Sequence, residues 1–347
     1  MDNTTLLHEI KSGDTLEKIA QKIGMNGNQL KDFHNQNCGK MEKIWFDNLI
    51  GIKQIVIPKD YKNPEEILKK LDKKLPSKNY YPTFHAALYE VTELITKTFT
   101  PDLEIKYKVE IQHPKNHTEN PSEKIVSIKC FDYTKNDEKP DDKISSVAFA
   151  CMESISPISF LMNQNGSLYQ IFNFPELQKK FKSQRKDLED FYSGEIYQAY
   201  FNKFSENLEN EKYINKQLLS SPLYQFLFPK LNWFHKTKNW EEDLLLIQSS
   251  FPVKCEMNAE YIHEDSDILE TILKGRIIEK CSLQELLKGI RWQEELEENV
   301  IGEIKVSYQT DKKTKQLLSG EVSISLFHDE ELYQKHKVQF KKLEEKK

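Results

Sequence analysis

The chain has 347 residues, enough for two or three domains, and its 50 Lys plus Arg stand against 55 Asp plus Glu, a net charge of −5. That balance gives no electrostatic case for nucleic acid, and no run approaches the roughly 18 apolar residues that a membrane-spanning helix needs. The five cysteines (Cys38, Cys130, Cys151, Cys255, Cys281) are odd in number, widely spaced and without a Cys-x-x-Cys pair, which fits free thiols in a reducing compartment. Met1–Thr5 is polar and precedes no apolar leader segment, so the expectation is a cytoplasmic protein with no membrane partner. A hydrophobic fraction of only 38% still includes 19 Phe and 15 Tyr, whose large side chains let cores form.

In chain order, a short apolar strand around Leu7–Ile10 meets the turn Ser12-Gly13-Asp14-Thr15. An amphipathic helix follows, with Leu16, Ile19, Ala20 and Ile23 on one face. Asp14 or Thr15 can cap it, and Gly24 stands where a helix end needs a left-handed residue. A second short helix fits Asn28 to His34, with Leu30 and Phe33 inward. Ile55-Val56-Ile57 is a returning strand that Pro58 ends.

This β-α-α-β order within 1–60 resembles the LysM (lysin motif) module. The likeness rests on Ile10-Lys11-Ser12-Gly13-Asp14-Thr15-Leu16, on Ile19-Ala20, on the Asn-rich helix end Asn35–Asn37 and on the terminal Ile55-Val56-Ile57-Pro58. It covers about one sixth of the chain. LysM modules bind N-acetylglucosamine-containing polymers such as peptidoglycan and chitin and carry no catalytic chemistry. The resemblance places a shallow glycan groove between Gly13, Asp14, Thr15 and Leu16 on one side and Gly51 and Ile52 on the other. Cys38–Ile50 is longer than the family norm and holds Trp45-Phe46, which would widen a sugar platform, form a docking face or cover the small core.

Residues 61–80, rich in Lys, Asp and Pro, read as a linker. Beyond them, 81–330 reads as an α+β domain. Ile105–Ile111 and Ile125–Phe131 alternate apolar and polar residues as strands, separated by a polar loop from Gln112 to Glu123. Ser146–Met152 and Ser159–Met162 are further strand candidates, and Asn165-Gly166 signals a hairpin returning through Leu168–Phe172. From 174 to 228 the period lengthens to that of helices, punctuated by Pro175, Gly194, Pro222 and Pro229. Strands resume at Phe251–Met257 and Ile268–Glu279. Ser282 and Glu285 form a capping box for a short helix, Leu283–Ile290. Gly302–Tyr308 and Leu317–Phe327 read as a final hairpin, and 331–347 as a charged, fraying tail. The fold class is α+β: the small module, then a two-part antiparallel sheet curved as a half-barrel, with a helical middle.

Motifs for chemistry are absent. No His-Glu-x-x-His, phosphate-binding loop or Gly-x-Gly-x-x-Gly occurs. His113 and His117 flank Pro114 in a polar loop, and His263–Asp267 lacks the glycine and distal glutamate of a calcium loop. Cys281, ahead of a helix start, is the one thiol placed as a nucleophile would be. The expectation is a non-enzymatic binding protein without cofactor or metal, recognising peptidoglycan or another GlcNAc polymer. The alternative is a cytoplasmic adaptor of a contractile injection machine, docking on a spike or baseplate-type protein. A glycan-binding role for a leaderless chain requires delivery to the envelope by a non-classical route.

Overall fold

Thr15 and Asn26 start two helices of the N-terminal unit. Thr15 is extended, and its Oγ1 accepts the Lys18 N–H at 3.2 Å to open α1 (Leu16–Lys22). Asn26 and Gln29 form a reciprocal capping box at α2 (Gly27–Asn37). Gly24, at φ +71°, turns the chain between them. β1 (Thr5–Glu9) and β2 (Gln54–Pro58) pair antiparallel from Thr5↔Pro58 to Glu9↔Gln54. Leu16, Ile19, Ala20, Ile23, Leu30, Ile44, Ile55 and Ile57 make the core. Each fully buried Leu or Ile there contributes about 1.5–3 kcal/mol. The expected β-α-α-β order is the observed one.

Two polar side chains on α2 complete this unit. His34 is 1% exposed; its Nδ1 accepts the Val56 N–H at 2.9 Å, and its Nε2–H donates to Glu42 O at 2.8 Å. It thereby supplies the outer edge of β2 with the partner that a third strand would otherwise give. Asn35 donates to Ile44 O at 2.9 Å and accepts from Ile44 N at 2.8 Å, clasping the segment that enters the core beside it.

The structure is a computed structural model and describes residues 5–45, 48–59, 71–98, 100–116, 123–140, 142–262, 266–292 and 299–344. It divides into two units, Met1–Lys74 and Leu75–Lys347. Residues 75–80, expected as linker, belong to the larger unit: Tyr80 N donates to Gln164 O at 2.7 Å, and Pro76 O accepts from His235 Nε2 at 2.7 Å. Much of the remaining linker, 61–70, lies outside the described residues.

The larger unit is α+β, built on one antiparallel sheet of eleven strands among the described residues. Its strands are β3 (Leu88–Lys97), β4 (Thr100–Asn116), β5 (Lys124–Lys135), β6 (Ile158–Met162), β7 (Leu168–Ile171), β8 (Trp240–Leu244), β9 (Val253–Ile262), β10 (Ile268–Ile277), β11 (Ile301–Asp311), β12 (Leu317–His328) and β13 (Glu331–Lys342). The spatial order is β7-β6-β5-β4-β3-β13-β12-β11-β10-β9-β8. The two groups of strands are therefore one sheet, joined where its first and last strands, β3 and β13, pair from Tyr89↔Lys342 to Lys97↔Gln334.

That junction corrects the expected charged tail. Residues 331–342 form a central strand, with Val338 and Phe340 buried beneath a face of lysines. Ser146–Met152 is likewise not a strand but part of α3 (Lys143–Ile155), capped by Asp142 accepting the Ser145 N–H at 2.8 Å. Val147, Cys151 and Ile155, four apart, are its buried line. The loop expected from Gln112 begins later, because β4 continues to Asn116.

The helical middle runs as expected through α4 (Phe174–Phe191), α5 (Glu195–Glu209), α6 (Glu211–Leu219) and α7 (Pro222–Leu227). α7 packs on β12 and β13. Its last carbonyls find donors in the core: Tyr308 OH reaches Phe226 O at 3.0 Å, and His85 Nε2–H reaches Leu227 O at 2.8 Å. The two edge strands line one cleft of about 310 Å³, Leu168 and Tyr169 from β7 and Asp243 and Leu244 from β8, with Tyr224, Phe228 and Trp233 also in its wall. Residues of both edge strands of the sheet thus border one cleft. Trp233 and Phe234 are core residues. Ser282 and Glu285 cap α8 (Leu283–Lys288) as their spacing implies. Among the described residues no helix is long and apolar enough to cross a membrane.

Candidate functional site

The β1–β2 ladder brings two glycine turns to the same end of the N-terminal unit. Beyond the Glu9↔Gln54 pair, Ile10 N donates to Lys53 O at 3.0 Å. There β1 runs into the turn Lys11-Ser12-Gly13-Asp14, closed by Asp14 N to Lys11 O at 3.0 Å. β2 is entered from the turn Leu49-Ile50-Gly51-Ile52, closed by Ile52 N to Leu49 O at 3.1 Å. Gly13 (φ +88°) and Gly51 (φ +83°) each occupy the third position of a four-residue turn, where positive φ selects glycine. A Cβ at either would meet nothing within 4 Å, so both turns offer bare backbone to solvent.

Asp14 secures the first turn. Its Oδ2 accepts the Lys11 N–H at 2.9 Å, and Lys22 Nζ stands 3.7 Å from Oδ1 and His8 Nε2 3.8 Å from Oδ2. The Lys11 N–H bond, with the charges of Lys22 and His8, holds the carboxyl below its usual range. Lys18 Nζ donates to Gly13 O at 3.0 Å, fixing the turn to α1. Among the described residues, the N–H groups of Ser12, Gly13 and Gly51 take no protein acceptor.

The structure places Gly13, Asp14 and Thr15 in and after one turn and Gly51 and Ile52 in the other, at the same end of the β1–β2 ladder. Leu16 departs from its expected role. Its side chain is 4% exposed in the core, leaving only backbone for a ligand. Ile52 packs partly against that core. Trp45 is no cover for the core: it is 73% exposed, while Phe46 lies outside the described residues. Ile50 was missed. It is 84% exposed at the tip of the second turn, an apolar side chain that only its position beside Gly51 could have flagged.

Elsewhere, Cys281 does not have the environment of a nucleophile. It is 1% exposed, and burial together with Glu279 and Glu285 pushes its thiol up to about 11. No group of His, Cys, Asp and Glu suited to a metal ion occurs among the described residues. His117 and His263 lie outside them.

No curated protein sequence matches the chain. Among solved structures, lipovitellin aligns at 9% identity over 73% of this chain and 24% of its own, with a TM-score of 0.30. A LolA superfamily protein from Nitrosomonas europaea aligns at 10% identity over 80% of this chain and 91% of its own, with a TM-score of 0.23. A porin-like protein from Bacteroides uniformis aligns at 5% identity over 75% and 99%, with a TM-score of 0.15. This chain spans about a quarter of the lipovitellin chain, and at such TM-scores none of the three bears on fold or function. Residues 8–33 match the model of the LysM domain, a class of module that generally binds GlcNAc-containing glycans. The match covers the end of β1, the Gly13 turn, α1 and most of α2, and the N-terminal unit of this protein therefore carries a LysM domain.

Proposed function

We propose that the protein is a non-catalytic glycan-binding protein whose N-terminal unit holds a GlcNAc-containing polymer, peptidoglycan or a chitin-like chain, between its two glycine turns. The observation that carries this reading is the pairing of bare turns at one end of the β1–β2 ladder, both needing positive φ and both open to solvent. The N–H groups of Ser12, Gly13 and Gly51 suit acetamido carbonyls, and the exposed Ile50 suits the apolar face of a sugar ring. A single shallow groove buries little area against the cost of ordering a flexible chain, so a dissociation constant of roughly 10⁻³ to 10⁻⁵ M is expected, about −4 to −7 kcal/mol. Titration of the full chain with a soluble GlcNAc oligomer, followed by amide chemical shifts, should move residues 11–16 and 49–53 together. Shifts confined to other surfaces would refute the groove.

A second reading is favoured by one observation. Trp45 and Met41 are 73% and 97% exposed, which suits docking on a protein such as a spike or baseplate component. Trp45→Ala separates the two. Weakened glycan retention supports a sugar platform, whereas loss of a co-purifying protein with glycan binding intact supports docking.

A further inference from the structure

Three helix ends meet at one corner of the larger unit: the first turn of α3, the last of α4 and the first of α5. Tyr192, just after α4, joins them. Its OH donates to Ser146 O at 3.5 Å, and its ring lies 4.8 Å from that of Phe191 and 5.3 Å from that of Tyr197. Phe191, 79% exposed, precedes it, and Ile144, 62%, and Ile196, 55%, lie in the first turns of α3 and α5. Ile196 lies off the inward line of α5, which is Phe201 and Leu208, and Phe191 lies beyond the buried run Phe174, Leu177 and Phe181 of α4, while Ile144 continues the line of Val147, Cys151 and Ile155 on α3 into its exposed first turn. All three side chains remain more than half exposed, although the Phe191 ring rests on Tyr192. Singly exposed apolar residues are ordinary; three at the ends of three adjoining helices, beside an aromatic cluster, make a patch of the kind that partners use.

The surrounding charge indicates which partner. Asp187, one helical turn before Phe191, and Asp190 and Glu195 beside it are exposed, with no ion-pair partner among the described residues. Glu189 is already engaged by Arg185 at 2.6 Å. Lys186 and Lys182 lie about 140° and 180° around α4 from Phe191, away from the patch. Two cations stand at the start of α3: Lys143, next to Ile144, and Lys135, whose Nζ is held by Asp142 at 2.6 Å and Ser145 Oγ at 3.1 Å.

We propose that this corner docks a basic amphipathic segment of a partner protein. The segment's apolar side chains cover Phe191, Ile144 and Ile196, and its Lys or Arg residues meet Asp187, Asp190 and Glu195. The same carboxylates oppose an anionic membrane surface.

The test uses the full chain and a fluorescent amphipathic helical peptide of Leu and Lys, with a Leu/Glu peptide of the same pattern as control, read by anisotropy. The Leu/Lys peptide should bind and the Leu/Glu peptide should not. Phe191→Ser with Ile196→Ser should weaken binding about tenfold or more, with an unchanged circular dichroism spectrum and melt. Asp187→Asn with Glu195→Gln should weaken it several-fold and flatten its salt dependence. Four results with the peptides overturn the proposal: no binding by wild type, equal binding by the Phe191/Ile196 variant, equal binding of the Leu/Glu peptide, or unchanged salt dependence in the charge variant. Binding to phosphatidylcholine vesicles that Phe191→Ser abolishes would assign the corner to a membrane instead. Self-association abolished by the same change would assign it to a second copy, and either result overturns the protein-segment reading.

Discussion

His34→Ala is expected to remove about 2–6 kcal/mol from the N-terminal unit. The imidazole is 1% exposed and bridges β2 to the segment at Glu42 through two hydrogen bonds of 2.9 and 2.8 Å. Truncation leaves the Val56 N–H without a partner in a residue only 7% exposed, which costs about 1–3 kcal/mol. Glu42 O lies at an exposed residue, where water can replace the lost donor, and adds about 1 kcal/mol or less. The vacated ring volume contributes roughly 1–2 kcal/mol more, because a small core closes only partly over a void. A unit of this size has roughly 4–10 kcal/mol in total, so the loss brings it close to its unfolding threshold. The assay is amide hydrogen exchange in the full chain combined with urea unfolding. Val56 should change from a protected to a rapidly exchanging amide. A destabilisation below about 1 kcal/mol with Val56 still protected would refute the assignment of His34 as the surrogate third strand.

Gly13→Val should destabilise the Lys11–Asp14 turn by about 1–2 kcal/mol and abolish glycan binding. The cause is the φ of +88°, since a Cβ there meets nothing within 4 Å; a variant as stable as wild type would contradict it. Burial holds the His85 ring down to about 4, below its ordinary 6.5, so the native ring stays neutral while the unfolded ring takes up a proton. Its contribution is complete above pH 6.5 and is lost as pH falls toward 4, about 3 kcal/mol in all. Stability measured against pH should therefore fall less steeply between 6.5 and 4 in His85→Asn than in wild type, and parallel curves would refute the burial argument. Titration in guanidinium without reductant should find five thiols; three or fewer would show disulfides where Cys38, Cys130, Cys151, Cys255 and Cys281 are free.

The N-terminal unit was legible because every signal in it is local. A cap at Thr15, a glycine at position 24, a helical apolar line and a strand ended by Pro58 lie within sixty residues and agree with one another. The two-turn site was half legible. Gly13 has a motif around it, whereas the place of Gly51 beside it follows from the β1–β2 register, and Ile50 carries no motif. In the larger unit the hairpins β6–β7 and β11–β12 and the α8 cap were readable from turn and cap chemistry. β3 was not, because its inward face carries Glu93 and its outward face Leu94, which blurs the alternation. β13 was hidden by its lysines. Its strand character depends on two neighbours, one of them more than 200 residues away, and no window of sequence contains them. α3 was misread because a short apolar run around Val147–Cys151 fits both periods, and only the packing of Ile155 on the same line decides between them.

Co-sedimentation with purified insoluble peptidoglycan, with chitin in parallel, tests the glycan-binding proposal most directly. The full chain is compared with a chain lacking residues 1–59 and with Ile50→Ser, a change at a side chain that the core does not use. The expected result is retention of wild type on at least one polymer, clear weakening by Ile50→Ser and no retention of the shortened chain. Equal retention of all three, or none by wild type, would contradict glycan binding at the two turns.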